Sequence, residues 1–422
     1  MNIAGRLGMA SVLALGLSPS AALAADPVTL QYWVYSDFAE GDALKLQQQF
    51  IAEFENAHPG VKIVISGKGD DDLTTGEVTG AASGNTPDVF MNGLPFGAQL
   101  VEAGALDNVY AKWMAMPQEF RDQFDKDAIA SCTPKPQTMY CLPYTGFNEL
   151  LFRNLTVLKQ AGIDTSTPPK DWAEWFEQMK KVKTAGKSAM PDQTQVFNSV
   201  ASTYSIVGPH EEWGIDFAAK KTKINPETYA KALQLFVDMK PLASGTSRND
   251  QATKDLFITN QLAFHVVGPW VDPTYRQAAQ DSGLKYDFVL VPGAGPDQYA
   301  GIKAYEILGV APGKNADVAW QFAAYIADKP QMLRWAKLLS RYNANAAAMA
   351  DPEVAKLPLI AKSVEAVKYG LDVKPPYFVG AYPNCYNSIV TDNAAAVADG
   401  KTTPADGAKS LVKDLNDCIA GN

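Results

Sequence analysis

The chain has 422 residues, a formal net charge of −9, 47% hydrophobic residues and 20% charged residues. That length exceeds one ordinary hydrophobic core and predicts two domains or lobes, and the composition is that of a soluble globular protein. The acidic balance argues against nucleic acid and anionic membrane surfaces as partners.

Arg6 precedes an apolar run at 7–17, and Ala22-Leu23-Ala24 supplies the small-x-small pattern of a signal peptidase site. Residues 1–24 are therefore expected to be a signal peptide, cleaved before Ala25. Loss of Arg6 would take the charge from −9 to −10. No Cys follows that site, and no later stretch has the roughly 18 consecutive apolar residues of a membrane span. The mature chain is expected in the periplasm, free and not lipid-anchored.

Residues 28–34 have strand composition and run into the polar loop Tyr35-Ser36-Asp37-Phe38. Leu46, Phe50, Phe54 and Ala57 then recur at helical spacing until His58-Pro59-Gly60. A second strand at 61–65, a weaker helix at 72–82 interrupted by Gly76 and Gly80, and a third strand at 87–91 follow. This alternation predicts a parallel α/β sheet with right-handed crossovers, so the loops after Val34 and Met91 open on one edge.

Residues 101–130 read as helical, and 142–154 as an extended segment that passes between lobes. The helix at 171–182 carries Trp172, Trp175, Phe176 and Met179 on one face, a stripe that fits a core role, and 227–239 repeats the pattern. At 255–270 a turn-prone polar step leads into an apolar, β-branched run closed by Gly268-Pro269-Trp270. This is a buried strand that delivers one indole to its C-terminal end, the edge where ligands collect in open α/β sheets. Strands are expected at 286–291 and 307–311, and helices at 316–326 and 405–419; the tail between carries Tyr377, Tyr382 and Tyr386. With no repeat and no linker, the chain should cross between its lobes more than once: 25–143 plus 292–337 form the first, 144–291 plus 338–422 the second.

Export makes disulfides the natural state of Cys132, Cys141, Cys385 and Cys418. Three pairings are open, and the one joining near neighbours is Cys132–Cys141 with Cys385–Cys418. A zinc site is the rival, but no CxxC spacing occurs and the histidines are only His58, His210 and His265. Neither metal nor cofactor is expected. HExxH, GxSxG and the Walker lysine loop are all absent, although the plentiful carboxylates are compatible with a glycosidase pair.

What remains is a set of aromatics and small polar residues beside strand ends: Tyr35, Asp37, Asn92, Phe96, Tyr144, Phe147, Trp270, Tyr305 and Glu306. Aromatic faces pack on the C–H faces of sugar rings, and carboxylates and amides bind hydroxyls. A sugar or polyol is the ligand that these residue types suit.

Residues 81–89 (AASGNTPDV), Leu142-Pro143-Tyr144 with Leu151-Phe152-Arg153-Asn154, Pro169-Lys170-Asp171-Trp172, the run from Phe257 to Trp270, and Ala319-Trp320-Gln321-Phe322 together resemble one family. They are similar to the extracellular solute-binding proteins of ATP-driven sugar importers, the maltose-binding-like class. The resemblance implies a periplasmic-binding-protein fold of two α/β lobes that close on a ligand. It also implies that Trp270 stacks on sugar and that 35–38, 92–96 and the region around Tyr305 line the cleft. Two departures leave the sugar open: Phe147-Asn148 stands where some members place an acid, and 341–344 lacks an expected proline. The expected protein is a monomeric, non-enzymatic receptor that delivers a mono- or oligosaccharide to the membrane permease of an ABC importer. The alternatives are an exported glycoside-processing enzyme, or the same receptor carrying a phosphorylated polyol or a polyamine. A phosphate asks for cations, of which Lys303 is the nearby candidate. A polyamine asks for carboxylates such as Asp37 and Glu306.

Overall fold

The computed structural model describes residues 27–216, 218–372 and 381–421, with the side chains of Asp70, Asp71, Phe147 and 381–384 outside the description. The expected signal peptide, Tyr377 and the side chain of Tyr382 therefore lie outside the described residues.

Strand β1 (Val28–Tyr35) is an inner strand of the first sheet and buries Leu30, Tyr32 and Val34 on alternate positions. It pairs in parallel with β2 (Val61–Lys68) and β3 (Val89–Gly93). The crossovers are helices α1 (Gly41–Ala57) and α2 (Asp70–Ser83), so the expected parallel unit is present. Helix α1 buries Leu46, Phe50 and Phe54 on one stripe. Helix α2 runs unbroken through both of its glycines. A Cβ at Gly76 would lie 2.8 Å from the Trp33 ring, and one at Gly80 would lie 3.0 Å from the Asn85 carbonyl. Both glycines permit close packing rather than interrupting the helix.

The helical stretch expected at 101–130 is four short helices instead, broken where Gly104 adopts φ +74° and where Pro117 cannot continue a helix. Strand β4 (Leu142–Asn148) follows, and after Glu149 the chain enters β5 (Leu150–Asn154). Strand β5 is flanked on both sides by antiparallel partners, β6 (Phe264–Val267) and β7 (Tyr286–Val289). Leu151 faces one apolar cluster with Trp175, Met179 and Tyr204, while Leu150 and Phe152 face another with Phe257 and Tyr275. The aromatic stripe of helix α3 (Trp172–Thr184) thus packs as core, and the expected strand before Trp270 is β6, preceded by the helix Gln251–Ile258.

Strand β8 (Ile302–Val310) begins five residues earlier than expected, because it serves two cores. Ile302 and Ala304 are buried in the second core, whereas Ile307, Leu308 and Val310 are buried in the first. It runs antiparallel to both β3 and β4. The segment 339–360, which the expected limits give to the second lobe, contributes Leu339, Met349, Val354 and Ile360 to the first core. The return to the second core comes with Leu371 and with the helices Ala381–Ala398 and Pro404–Gly421. Among the described residues no helix is long and apolar enough to cross a membrane.

Cys132 is bonded to Cys141 and Cys385 to Cys418, with sequence separations of 9 and 33. By loop-closure entropy the longer link contributes about 3–4 kcal/mol. The protein purified from an oxidising compartment should show no alkylatable thiol by intact mass, and reductant should lower its unfolding temperature. Four alkylated cysteines before reduction would contradict the pairing.

Candidate functional site

A cleft of about 1650 Å³ is lined on one side by loops of the first core and on the other by elements of the second. Of the expected residues, Tyr35, Asp37, Phe96, Trp270 and Glu306 line it. Tyr35 ends β1, and the following turn, Ser36–Phe38, is anchored by Phe38, which is buried and stacked on Trp335 at 5.0 Å. That anchor leaves Asp37 at the cleft, where it is ion-paired with Arg341, and the Arg341 guanidinium lies over the Phe38 ring at 4.4 Å. Phe96 closes the turn Leu94–Phe96 after β3. Glu306 sits opposite both Gly93 and Thr145, at a register shift between β8 and β4; such irregularities re-aim side chains beside sites. The Thr145 hydroxyl donates to its carboxylate.

Trp270 follows β6 as expected. Its indole folds back over Gly268, where a Cβ would come within 1.8 Å of the ring, so only glycine admits this turn. The ring rests against the cluster of Val267, Val271 and Tyr275 while also lining the cleft.

Three expected residues are not on the cleft lining. Tyr144 is buried in the first core beside Trp335, at 6.2 Å, and burial pushes its phenol pKa up. Tyr305 precedes Glu306 on the same strand, so the two side chains leave on opposite faces; its hydroxyl donates to Asp125 at 3.3 Å. Asn92 is fully buried one residue before the cleft-lining Gly93. Phe147 belongs to β4, and its side chain lies outside the described residues.

Sequence reasoning missed the cations. Arg248, Lys254, Arg276 and Arg341 line the cleft, and Lys303 does not. Every guanidinium among them faces a carboxylate: Arg341 pairs with Asp37, Arg248 with the buried Glu149, and Arg276 with Asp272 at 3.4 Å. Such pairings join residues 99 and 304 positions apart, and no local pattern announces them. His265 is a core histidine with one further role. Burial pushes its pKa down to about 3, and the neutral ring bonds the Tyr275 hydroxyl at 2.7 Å and the Arg248 carbonyl at 2.8 Å. A carbonyl only accepts, so Nε2 carries the proton, and the bond fixes the backbone from which Arg248 reaches Glu149. Among the described residues no group of three His, Cys, Asp or Glu side chains is placed to hold a metal ion.

The family described as bacterial extracellular solute-binding protein matches residues 49–362, well over half of the chain. Similar relatives include the sn-glycerol-3-phosphate-binding periplasmic protein UgpB of Brucella abortus (strain 2308), 31% identical over 155 residues, covering 33% of this chain and 35% of that one. The protein of the same name from Rhizobium meliloti (strain 1021) is 25% identical over 274 residues, covering 61% and 60%. The chain thus spans less than two thirds of these relatives' length. In fold it is similar to the GacH receptor of Streptomyces glaucescens GLA.O, with TM-score 0.79, 18% identity, and 93% of this chain and 98% of that one covered. It is also similar to the maltotriose binding protein of Thermus thermophilus, with TM-score 0.76, 17% identity, and coverage of 92% and 100%. These two likenesses show the two-lobed periplasmic-binding fold.

Proposed function

The chain belongs to the bacterial extracellular solute-binding protein family, and on that premise we propose that it is the periplasmic receptor of an ABC importer for a neutral sugar. It captures the sugar by closure of its lobes and delivers it to the membrane permease, as an exported monomer without catalytic activity. The supporting observation is the polarity of the cleft: an indole on its lining, and guanidinium groups that each already face a carboxylate. Paired charges present donors and acceptors side by side with little net field, which suits hydroxyls. A phosphate would call for several cations without such partners, whereas Lys254 is the only lining cation without a carboxylate partner among the described residues. The names of the glycerol-phosphate relatives make a phosphorylated polyol the rival cargo. A ligand closes the lobes only by the margin with which it prefers the closed state.

The test is calorimetry and thermal shift with maltotriose, α-D-tagatose and sn-glycerol 3-phosphate. Stabilisation by a neutral sugar without turnover is the expected result. Binding of the phosphate ester alone would overturn the charge argument, and hydrolysis of an oligosaccharide would overturn the receptor role. Trp270→Ala should weaken binding of the positive sugar by about 2 kcal/mol, the scale of a buried aromatic anchor. Unchanged affinity in a folded variant would remove Trp270 from the site.

A further inference from the structure

We propose that Glu77, buried behind the cleft wall, is a positioning residue that holds Tyr35 and the turn after Gly93 in place through the side-chain amide of Asn92. The proposal rests on reading the cleft as the ligand site. Asn92 ties together elements that are remote in sequence. Its Oδ1 accepts from the Gly93 N–H at 2.7 Å and from the Tyr35 hydroxyl at 3.4 Å, while its Nδ2 donates to Glu77 Oε2 at 2.6 Å and to Thr74 Oγ1 at 3.1 Å. Tyr35 and Gly93 line the cleft; Asn92 and Glu77 are fully buried beneath them.

The orientation of the Asn92 amide follows from its neighbours. A backbone N–H only donates, so Gly93 requires the amide oxygen, and the NH₂ group must then face α2. Glu77 consequently has to present an acceptor at that point. Its second oxygen, Oε1, is buried without a hydrogen-bond partner among the described residues. Burial pushes the Glu77 pKa up to about 9, so at neutral pH the group is a carboxylic acid. A carbonyl toward Asn92 with a protonated oxygen beside it has the shape and polarity of glutamine. An apolar side chain of the same volume would leave the Asn92 NH₂ with Thr74 alone, and a buried donor that loses a partner relaxes toward water. The direction in which it relaxes carries Gly93 and Tyr35 with it.

The test compares Glu77→Gln and Glu77→Met in the mature, full-length protein. Without any ligand, hydrogen exchange of a peptide spanning 89–97 should be at least as slow in Glu77→Gln as in the wild type. In Glu77→Met it should be about tenfold faster, with exchange in the helix Pro226–Met239 unchanged. With maltotriose as probe, Glu77→Met should bind about tenfold more weakly, and Glu77→Gln should retain the wild-type dissociation constant. Wild-type exchange at 89–97 in Glu77→Met would overturn the proposal. If the wild type fails to bind maltotriose, the functional reading fails for that sugar, while the exchange comparison still decides the positioning role. Should Glu77→Met not fold, Thr74→Val removes the other acceptor of the Asn92 NH₂ group from the same knot. Faster exchange at 89–97 in that variant is expected, and unaltered exchange would count against the knot.

Discussion

Glu149→Ala should lower the unfolding free energy by about 3–5 kcal/mol, the cost of leaving one member of a buried ion pair without its partner. Glu149 is 1% exposed and Arg248 is 1% exposed, so neither charge has solvent to fall back on. Glu149 sits between β4 and β5, where the chain first passes from one core to the other. One carboxylate oxygen pairs with Arg248; the other accepts from the Ile302 N–H at 3.2 Å, and the Glu149 N–H donates to the Ile302 carbonyl at 3.1 Å. Ile302 opens β8, the second strand to pass between cores, so a single carboxylate joins both crossings to a cleft-lining arginine. Among the described residues Arg248 Nε is buried without a hydrogen-bond partner even in the intact protein, so the truncated variant would leave a guanidinium with little compensation. Denaturant unfolding of the unliganded protein provides the measurement. A loss below about 1 kcal/mol would show that water reaches Arg248. The double variant Glu149→Leu with Arg248→Met should recover much of the loss, since removing both charges avoids the unpaired one.

Legibility in the sequence followed the range of the interaction. The unit from β1 to β3 is encoded in local periodicity, and Trp270 in a Gly-Pro stop, so the parallel sheet and the position of the indole were readable. Tyr305 and Glu306 show the limit of that reading. Both lie on the expected edge, but a strand turns alternate side chains to opposite faces, and which one reaches the cleft depends on a register shift with β4. Asn92 failed for a related reason: all five residues of β3 are buried, so proximity to a strand end did not bring exposure. Arg341 and Arg248 acquire their meaning only from Asp37 and Glu149, far away along the chain. Glu77 looks like one more carboxylate on a polar helix, and only the packing of α2 against β1 turns it inward.

That inward turn has a consequence for stability. The Glu77 pKa is raised from 4.5 to about 9 chiefly by burial, with Asn92 opposing the shift. Between those two values the folded protein holds a proton that the unfolded chain has released, so ν_N exceeds ν_U and stability falls as pH rises. For one group the slope approaches 1.4 kcal/mol per pH unit. The loss begins near the unfolded value and is complete above the folded one. Glu77→Gln keeps the acceptor toward Asn92 but has no proton to lose. The variant should therefore match the wild type near pH 4.5 and exceed it by a margin of several kcal/mol by pH 8. Unfolding curves of both proteins at intervals from pH 5 to pH 9 provide the measurement. Parallel pH profiles would show that Glu77 is ionised in the folded state. The expected divergence would show instead that the floor of this cleft wall is uncharged, the condition under which Tyr35 and the Gly93 turn face a neutral ligand without a buried anion behind them.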